Sequence, residues 1–304
     1  MDNKRSFPLL LSSFWLKIIA LFTMTIDHIG YLMQYYGVGL EVANVFRIIG
    51  RFALPLFCFM IFEGVTHTKN FNKYALRLGI LASAVCLALI AMETLPIFIN
   101  NGISMRDQGN IFIDLLLGAF AVYLLKQQKW YFKLLAILPL GYGVASYIAS
   151  CLESCGCHGE ILWMPYFLRT QYGWYGIALI VGFYVSYLLA TLFIKSMSLK
   201  TSIPEESYKG SNLERNAINI ISICVLAIIT IALFYITNSI PFKYRYFDYE
   251  GQLYAIIAGA FILLYNGYRG YNKKWFQYGC YLYYAIHLPL LAAIFVLLDF
   301  LAII

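Results

Sequence analysis

The chain has 304 residues, of which 62% are hydrophobic and 12% charged, with a formal net charge of +7. Soluble proteins carry about 25% charged residues, so this composition excludes a soluble globular domain and points to a multi-pass membrane protein. The basic excess does not indicate nucleic-acid binding, because the cations recur in short clusters between apolar runs rather than along one stripe.

A bilayer span needs about 20 predominantly apolar residues. Nine such segments are predicted, at 14–36, 44–67, 74–99, 110–125, 130–149, 172–194, 216–238, 250–268 and 275–301, forming an all-α helical bundle. The first follows Lys4 and Arg5, as a secretory signal would. It is long, polar near its middle and lacks a small-residue cleavage site, so it reads as an uncleaved helix. Lys126, Lys129 and Lys133 leave only a tight hairpin between the fourth and fifth segments. The polar stretch 195–215, "KSMSLKTSIPEESYKGSNLER", is expected to be a cytoplasmic linker between a six-helix part (1–194) and a three-helix part (216–304).

Charge distribution sets an expected orientation. With the N-terminus inside, the inner segments hold Lys4/Arg5, Lys69/Lys73, Lys126/Lys129/Lys133, Lys195/Lys200/Lys209/Arg215 and Arg269/Lys273/Lys274. The outer segments hold Arg106, Arg169, Lys243 and Arg245, diluted by Glu41, Asp107, Glu153, Glu160, Asp248 and Glu250. The alternation predicts nine spans, N-in and C-out, in a bacterial cytoplasmic membrane. Cys58, Cys86, Cys224 and Cys280 lie in apolar spans and read as small hydrophobes. Cys151, Cys155 and Cys157, in "CLESCGCHGE", fall in an outer loop, where a disulfide with one thiol left over is expected. His158 adjoins them, but the spacing matches no standard zinc pattern, and no metal is expected.

The first apolar segment contains "TIDHIGY", with Asp27 and His28 side by side. A charge at the bilayer centre costs roughly 2.5–3.5 kcal/mol on insertion scales, so such groups usually face a bundle interior and mark function. If the first two segments form a hairpin turning near Leu40, His28 and Arg51 reach similar depth at about 1.5 Å per residue. Arg47 and Arg51 are i,i+4 neighbours on one helix face, and Pro55 frees the carbonyl of Arg51. A plain ordering ion pair between Asp27 and Arg51 is the alternative; one pair would be enough for that, and this hairpin carries two arginines, an aspartate and a histidine.

The second segment ends in "MIFEGVTHTKN", where Glu63 and His67 are i,i+4, followed by Lys69 and later Arg77. This reads either as a solvated helix end or as a cationic, cytosol-facing mouth suited to a phosphate-bearing ligand. "LYNGYRGYNKK" closes the eighth segment with Asn266, Gly267, Arg269 and Lys273. The last segment holds "YLYYAIHLPLL": His287 near its middle, with Tyr281, Tyr283 and Tyr284 as potential partners and Pro289 orphaning the carbonyl of Ala285.

"LKIIALFTMTIDHIGY", "FRIIGRFALPLFCFMIFEGVTHTKNFNKYALRL", "QYGWYG", "LYNGYRG" and "YLYYAIHL" together resemble the TraX family, whose named member acetylates the N-terminus of F-pilin. More distantly, the chain is similar to transmembrane acyltransferases that modify carbohydrates with acyl-CoA and carry a histidine in the first helix and an arginine soon after; His28 and Arg51 match those positions. Ala285 stands where the resemblance leads one to expect proline. The resemblance implies a membrane-embedded acetyltransferase taking acetyl-CoA from the cytosol and modifying an envelope acceptor, whether protein amine, glycan hydroxyl or lipid headgroup.

That chemistry needs a base for the acceptor and positive charge near the developing oxyanion. His28 is the expected base, oriented by Asp27 or another carboxylate, and Arg51 holds that carboxylate or polarises the thioester; His287 is an alternative nucleophile. Arg47, Glu63, His67, Arg77, Asn266, Arg269 and Lys273 are candidate groups for binding the donor. The rival from another class is a transporter or flippase, whose usual pair of matching interrupted helices is absent from the sequence.

Overall fold

The computed structural model describes residues 9–96, 109–156, 163–239, 249–271 and 273–301. Twelve α-helices are described: α1 (Ser13–Tyr35), α2 (Leu40–Gly50), α3 (Ala53–His67), α4 (Phe71–Thr94), α5 (Ile111–Leu125), α6 (Trp130–Leu135), α7 (Ile137–Ser154), α8 (Trp174–Thr201), α9 (Asn212–Ser239), α10 (Tyr249–Gln252), α11 (Gly259–Leu263) and α12 (Lys274–Phe300). Among the described residues, the β structure is one isolated parallel bridge between Leu11 and Tyr265. Large apolar side chains remain more than half exposed, among them Phe22, Leu87, Ile228 and Leu290. A helix apolar on its outer as well as its inner face belongs in lipid, and the chain is a multi-pass membrane protein.

Each of the nine predicted segments contains helix, though not each is one straight span. Among the described residues, six helices are long and apolar enough to cross a membrane: Ser13–Tyr35, Leu40–His67, Phe71–Thr94, Trp130–Ser154, Trp174–Thr201 and Asn212–Ser239. A bent pair, Lys274–Tyr284 and Ile286–Phe300, meeting at 50°, makes up to seven. The bend falls where Pro289 removes the donor for the carbonyl of Ala285. The fourth and eighth predicted segments are shorter apolar helices, Ile111–Leu125 and Glu250–Leu263. The latter is wound as a 3₁₀ helix over Leu253–Ala258. Of the polar stretch 195–215, α8 takes residues up to Thr201 and α9 begins at Asn212, with a 3₁₀ turn at Glu205–Ser207 between them.

By packing, the chain forms two compact units. One comprises Met1–Met60, Val185–Thr230 and Gly251–Ile304; the other comprises Ile61–Tyr184 and Ile231–Glu250. In the first unit, α1 and α2 form the antiparallel hairpin expected from sequence, turning through Gly37 and Gly39, both at positive φ. The helices cross at two glycines. A Cβ on Gly30 would lie 2.8 Å from the carbonyl oxygen of Ala43 and from Phe46 Cβ, and one on Gly50 would overlap the Asp27 side chain. Gln34 Nε2 donates to Asn44 Oδ1 at 2.7 Å across the same hairpin.

The segment before α1 is also tied down in this unit. Leu11 N–H donates to Leu264 O at 2.8 Å, Asn266 N–H to Leu11 O at 2.8 Å and Ser13 N–H to Tyr268 O at 2.8 Å. Asn219 of α9 donates from Nδ2 to Tyr265 O at 2.8 Å, and the Arg215 guanidinium lies 5.1 Å over the Tyr265 ring. Gly267, at φ +77°, allows that approach, since a Cβ there would sit 2.9 Å from Arg215 Nε.

In the second unit, Asp114 on α5 is fully buried. Its Oδ2 accepts from Gln171 N–H at 2.7 Å and its Oδ1 from Tyr172 N–H at 3.3 Å. Asn110 caps α5 by accepting from Phe112 N–H, and its Nδ2 donates to Ala82 O at 2.8 Å. Arg169 Nη2 pairs with Glu153 Oε2 at 3.1 Å, each side chain 4% exposed. These two charges, which the sequence reading placed in outer loops, form a buried ion pair. Cys151 and Cys155 stand near the end of α7, while Cys157 and His158 lie outside the described residues.

The α1–α2 crossing yields a direct test. Gly50→Ala forces the helices apart or displaces Asp27, so the protein should lose about 1–3 kcal/mol, the range for overpacking, seen as a lower unfolding midpoint in detergent. Gly79→Ala, on α4 with nothing within 4 Å of the added carbon, should leave the midpoint unchanged or raise it slightly.

Candidate functional site

The two buried histidines meet. His287 Nε2 of α12 lies 2.7 Å from His28 Nδ1 of α1. The other nitrogen of His287, Nδ1, lies 2.8 Å from Tyr284 O and 3.2 Å from Tyr283 O. A carbonyl oxygen only accepts, so His287 Nδ1 carries the proton, and in the neutral ring Nε2 is then a lone pair. His28 Nδ1 must therefore donate to it. The polarity of the chain, assigned from these partners, leaves His28 Nε2 as the basic nitrogen.

Aromatic side chains fix the pair. The Tyr283 ring stacks on His287 at 5.5 Å, and Tyr283 Oη is 2.6 Å from Thr25 Oγ1, three residues before His28. Tyr284 packs edge-on against His287 at 5.8 Å and against Phe57 at 5.5 Å. His287 is 4% exposed. Its environment is thus supplied by the tyrosines named from sequence, together with a histidine 259 residues away.

Successive residues of a helix project about 100° apart, so Asp27 and His28 leave α1 toward different neighbours. His28 faces α12; Asp27 faces α2. Arg47 Nη1 binds Asp27 Oδ2 at 2.5 Å and lies 3.4 Å from the Asp27 carbonyl oxygen. The Arg47 guanidinium also sits 5.7 Å over the Tyr31 ring. Arg47, expected to bind ligand, pairs with Asp27, and a group hydrogen-bonded to His28 is an imidazole where a carboxylate was expected. Arg51 is 8% exposed, beside Gly50 and hence at the level of Asp27. It sits at the joint of α2 and α3, where Arg51 N–H and Phe52 N–H reach back only three residues, each at 3.2 Å, to Ile48 O and Ile49 O. Pro55 explains the joint, since it cannot donate to Arg51 O.

The remaining predicted residues divide by unit. In the second unit, Glu63 and His67 pair with each other: His67 Nδ1 is 3.6 Å from Glu63 Oε2 and 2.9 Å from Glu63 O. Arg77 is exposed on α4. In the first unit, Asn266 Oδ1 accepts from Tyr268 N–H at 2.9 Å, forming a turn, and Arg269 and Lys273 are exposed just before α12. Sequence reading missed Asp114 and underrated Arg169 and Glu153. The signal for Asp114 was visible, a carboxylate inside the apolar run "NIFIDLLLG".

The TraX protein family matches residues 12–204 of the 304. The chain belongs to the TraX family. The match takes in Asp27, His28, Arg47, Arg51 and Asp114 and ends before His287. A curated relative, the probable fimbrial assembly protein FimC of serogroup H1 of Dichelobacter nodosus, is 36% identical over 85 residues, 27% of this chain and 34% of the relative. The chain thus covers about a third of that relative's length. No solved structure matches. Within this TraX-family chain, the α1–α2 hairpin and α12 bring His28, His287, Asp27 and Arg47 into one unit.

Removing one member of a poorly solvated ion pair leaves the other uncompensated, at a cost of about 3–5 kcal/mol. Asp27→Asn and Arg47→Met should each lower the unfolding midpoint, and the double variant should lose clearly less than the sum of the two. Strict additivity in that cycle would show that the two side chains do not act as a pair.

Proposed function

We propose that this TraX-family protein is a membrane-embedded acetyltransferase that moves an acetyl group from cytosolic acetyl-CoA to an acceptor at the outer side of the bacterial cytoplasmic membrane. The observation that carries the reading is the 2.7 Å contact between His28 Nδ1 and His287 Nε2. It gives one imidazole a defined tautomer within a helix bundle, which is what a general base requires. His28 Nε2 takes the proton of the acceptor amine or hydroxyl as the acceptor atom attacks the thioester carbonyl. The carbon–sulfur bond breaks, and the proton leaves on the coenzyme thiol. As His28 becomes cationic, its Nδ1–H bond to His287 strengthens, because a charged donor makes the stronger hydrogen bond. His287 acts through His28 and is a positioning residue. Arg51, at the α2–α3 joint, is assigned the developing oxyanion.

Arg269 and Lys273, exposed just before α12 in the same unit as the histidine pair, are assigned to the phosphates of the donor. The fimbrial assembly name of the Dichelobacter relative favours a surface-protein amine, such as a pilin N-terminus, over a glycan hydroxyl or a lipid headgroup as acceptor. A nine-span, N-in and C-out arrangement is part of the same proposal. It is supported by the hydrogen bonds that join Leu11 and Ser13, before and at the start of α1, to residues 264–268 ahead of α12. Spans one and nine must begin on the same side in that arrangement.

Orientation is checked with paired reporters. A fusion within 195–215 should report the cytoplasm and one after Ile304 the exterior; the same side for both would discard the nine-span arrangement.

The chemistry is checked with purified protein, labelled acetyl-CoA and a pilin-type amine. His28→Ala should reduce transfer by on the order of 10²–10⁴-fold, the usual loss on removing a general base, while the protein stays folded. His287→Ala should shift the pH profile and lower turnover, and His287→Asn, which restores an acceptor for His28 Nδ1, should recover part of it. A stable acetyl group on His287, abolished by His287→Ala, would instead make that residue the nucleophile. Near-normal turnover of His28→Ala would sink the proposal.

A further inference from the structure

A cavity of about 490 Å³ opens in the second unit where the end of α3, the start of α4 and the end of α5 meet. This size falls within the range of small-molecule sites, roughly 300–1,000 Å³. Its walls are Val65, Thr68, Lys69, Asn70, Phe71, Asn72, Tyr123, Lys126 and Gln127, with no carboxylate among them. Six of these nine residues offer a side-chain donor that is an ammonium, an amide or an aliphatic hydroxyl. The composition matters because a polar cavity without a carboxylate, and with two lysines, selects an anion.

Two contacts hold one of the two cations in place. Lys126 Nζ donates to Val65 O at 3.0 Å and Thr66 O at 3.1 Å, the last carbonyls of α3. An ammonium has three protons, so one remains after these two bonds. Lys69, two residues after the end of α3, lines the same cavity and is exposed. Phe71 and Tyr123, both lining the cavity, stack at 4.0 Å with their planes 7° apart and form an aromatic wall. Asn70 caps α4, accepting from Lys73 N–H at 3.0 Å, and holds that wall relative to the lysines. The first turn of α4 adds its partial positive charge, although the lysines and the cavity carry the assignment.

We propose that this cavity is a binding site for a phosphate monoester or diphosphate group, held by Lys69 and Lys126 with the amide side chains of Asn70, Asn72 and Gln127. Two molecules carry that group to such a rim: a soluble nucleotide and an anionic lipid headgroup. The site does not depend on the acetyl-transfer reading, since none of its residues belongs to the histidine pair and its occupancy is measured without turnover.

The test uses full-length protein in neutral-lipid nanodiscs, with adenosine 3′,5′-bisphosphate as the soluble probe and phosphatidic acid added to the disc as the lipid probe. Wild type should bind one of the two saturably. Lys69→Ala should weaken it by about tenfold, the usual loss for a charge-assisted hydrogen bond, and Lys126→Gln by at least as much. Lys126→Arg, which keeps both the carbonyl bonds and the charge, should stay within a few-fold of wild type. Binding of the nucleotide assigns a soluble ligand, and protection only by phosphatidic acid assigns a lipid. If neither binds saturably, or if Lys69→Ala, Lys126→Gln and wild type bind alike while remaining folded, the site is refuted. Loss of acetyl transfer in His28→Ala with phosphate binding intact would leave both proposals standing, and each can fail without the other.

Discussion

The close crossing of α1 and α2 is the constraint from which the first unit's site follows. Gly30 and Gly50 remove the two side chains that would hold the helices apart, so backbone meets backbone near Ala43 and carboxylate meets helix near Asp27. In lipid there is no hydrophobic drive between helices, and small residues at the contact supply the association through van der Waals packing. At that separation, Arg47 reaches Asp27 and lies over Tyr31. With Asp27 turned to α2, the helical step of about 100° turns His28 toward α12.

The same economy governs the polar groups elsewhere. A bilayer offers no water to an unsatisfied donor or acceptor, so buried polar atoms must find partners in the protein. His287 uses two carbonyls and one imidazole. Asp114 uses two backbone amides of the 171–172 segment, and Arg169 uses Glu153 and Met164 O. In the second unit these bonds tie the irregular stretch 163–173 to α5 and α7. Asn219 does similar work in the first unit, taking up Tyr265 O and Leu263 O where α11 ends.

A hydrogen-bonded histidine pair differs from a histidine–carboxylate pair in one chemical respect. A carboxylate raises the basicity of its partner through charge, whereas a neutral imidazole only fixes the tautomer and relays a proton. The polarity here is set outside the pair, by Tyr283 and Tyr284 carbonyls on a helix bent near Pro289. A proline four residues after Ala285 loosens the helix at the turn whose neighbouring carbonyls receive the imidazole proton.

Much of this was legible in the order of residues. Hydropathy alone placed segments that overlap each of the described α-helices, because apolar runs of membrane length have few other destinations. The depth of His28 relative to Arg51 followed from helical rise, the freed Arg51 carbonyl from Pro55, and the need of Asp27, His28 and His287 for polar partners from the cost of polar groups in lipid. Partners were not legible. Asp27 had two arginines within reach at i and i+4 spacing, and its contact with Arg47 depends on how α2 is rotated against α1. Arg169 and Glu153 looked like loop charges because their pairing depends on how residues 163–169 fold back over α7. The meeting of His28 with His287 spans 259 residues and no periodicity encodes it. Sequence determined which side chains are too polar to be idle in a membrane, since that cost is a property of each residue; tertiary structure decided which of them touch, since contact depends on the rotation and separation of helices that only packing sets.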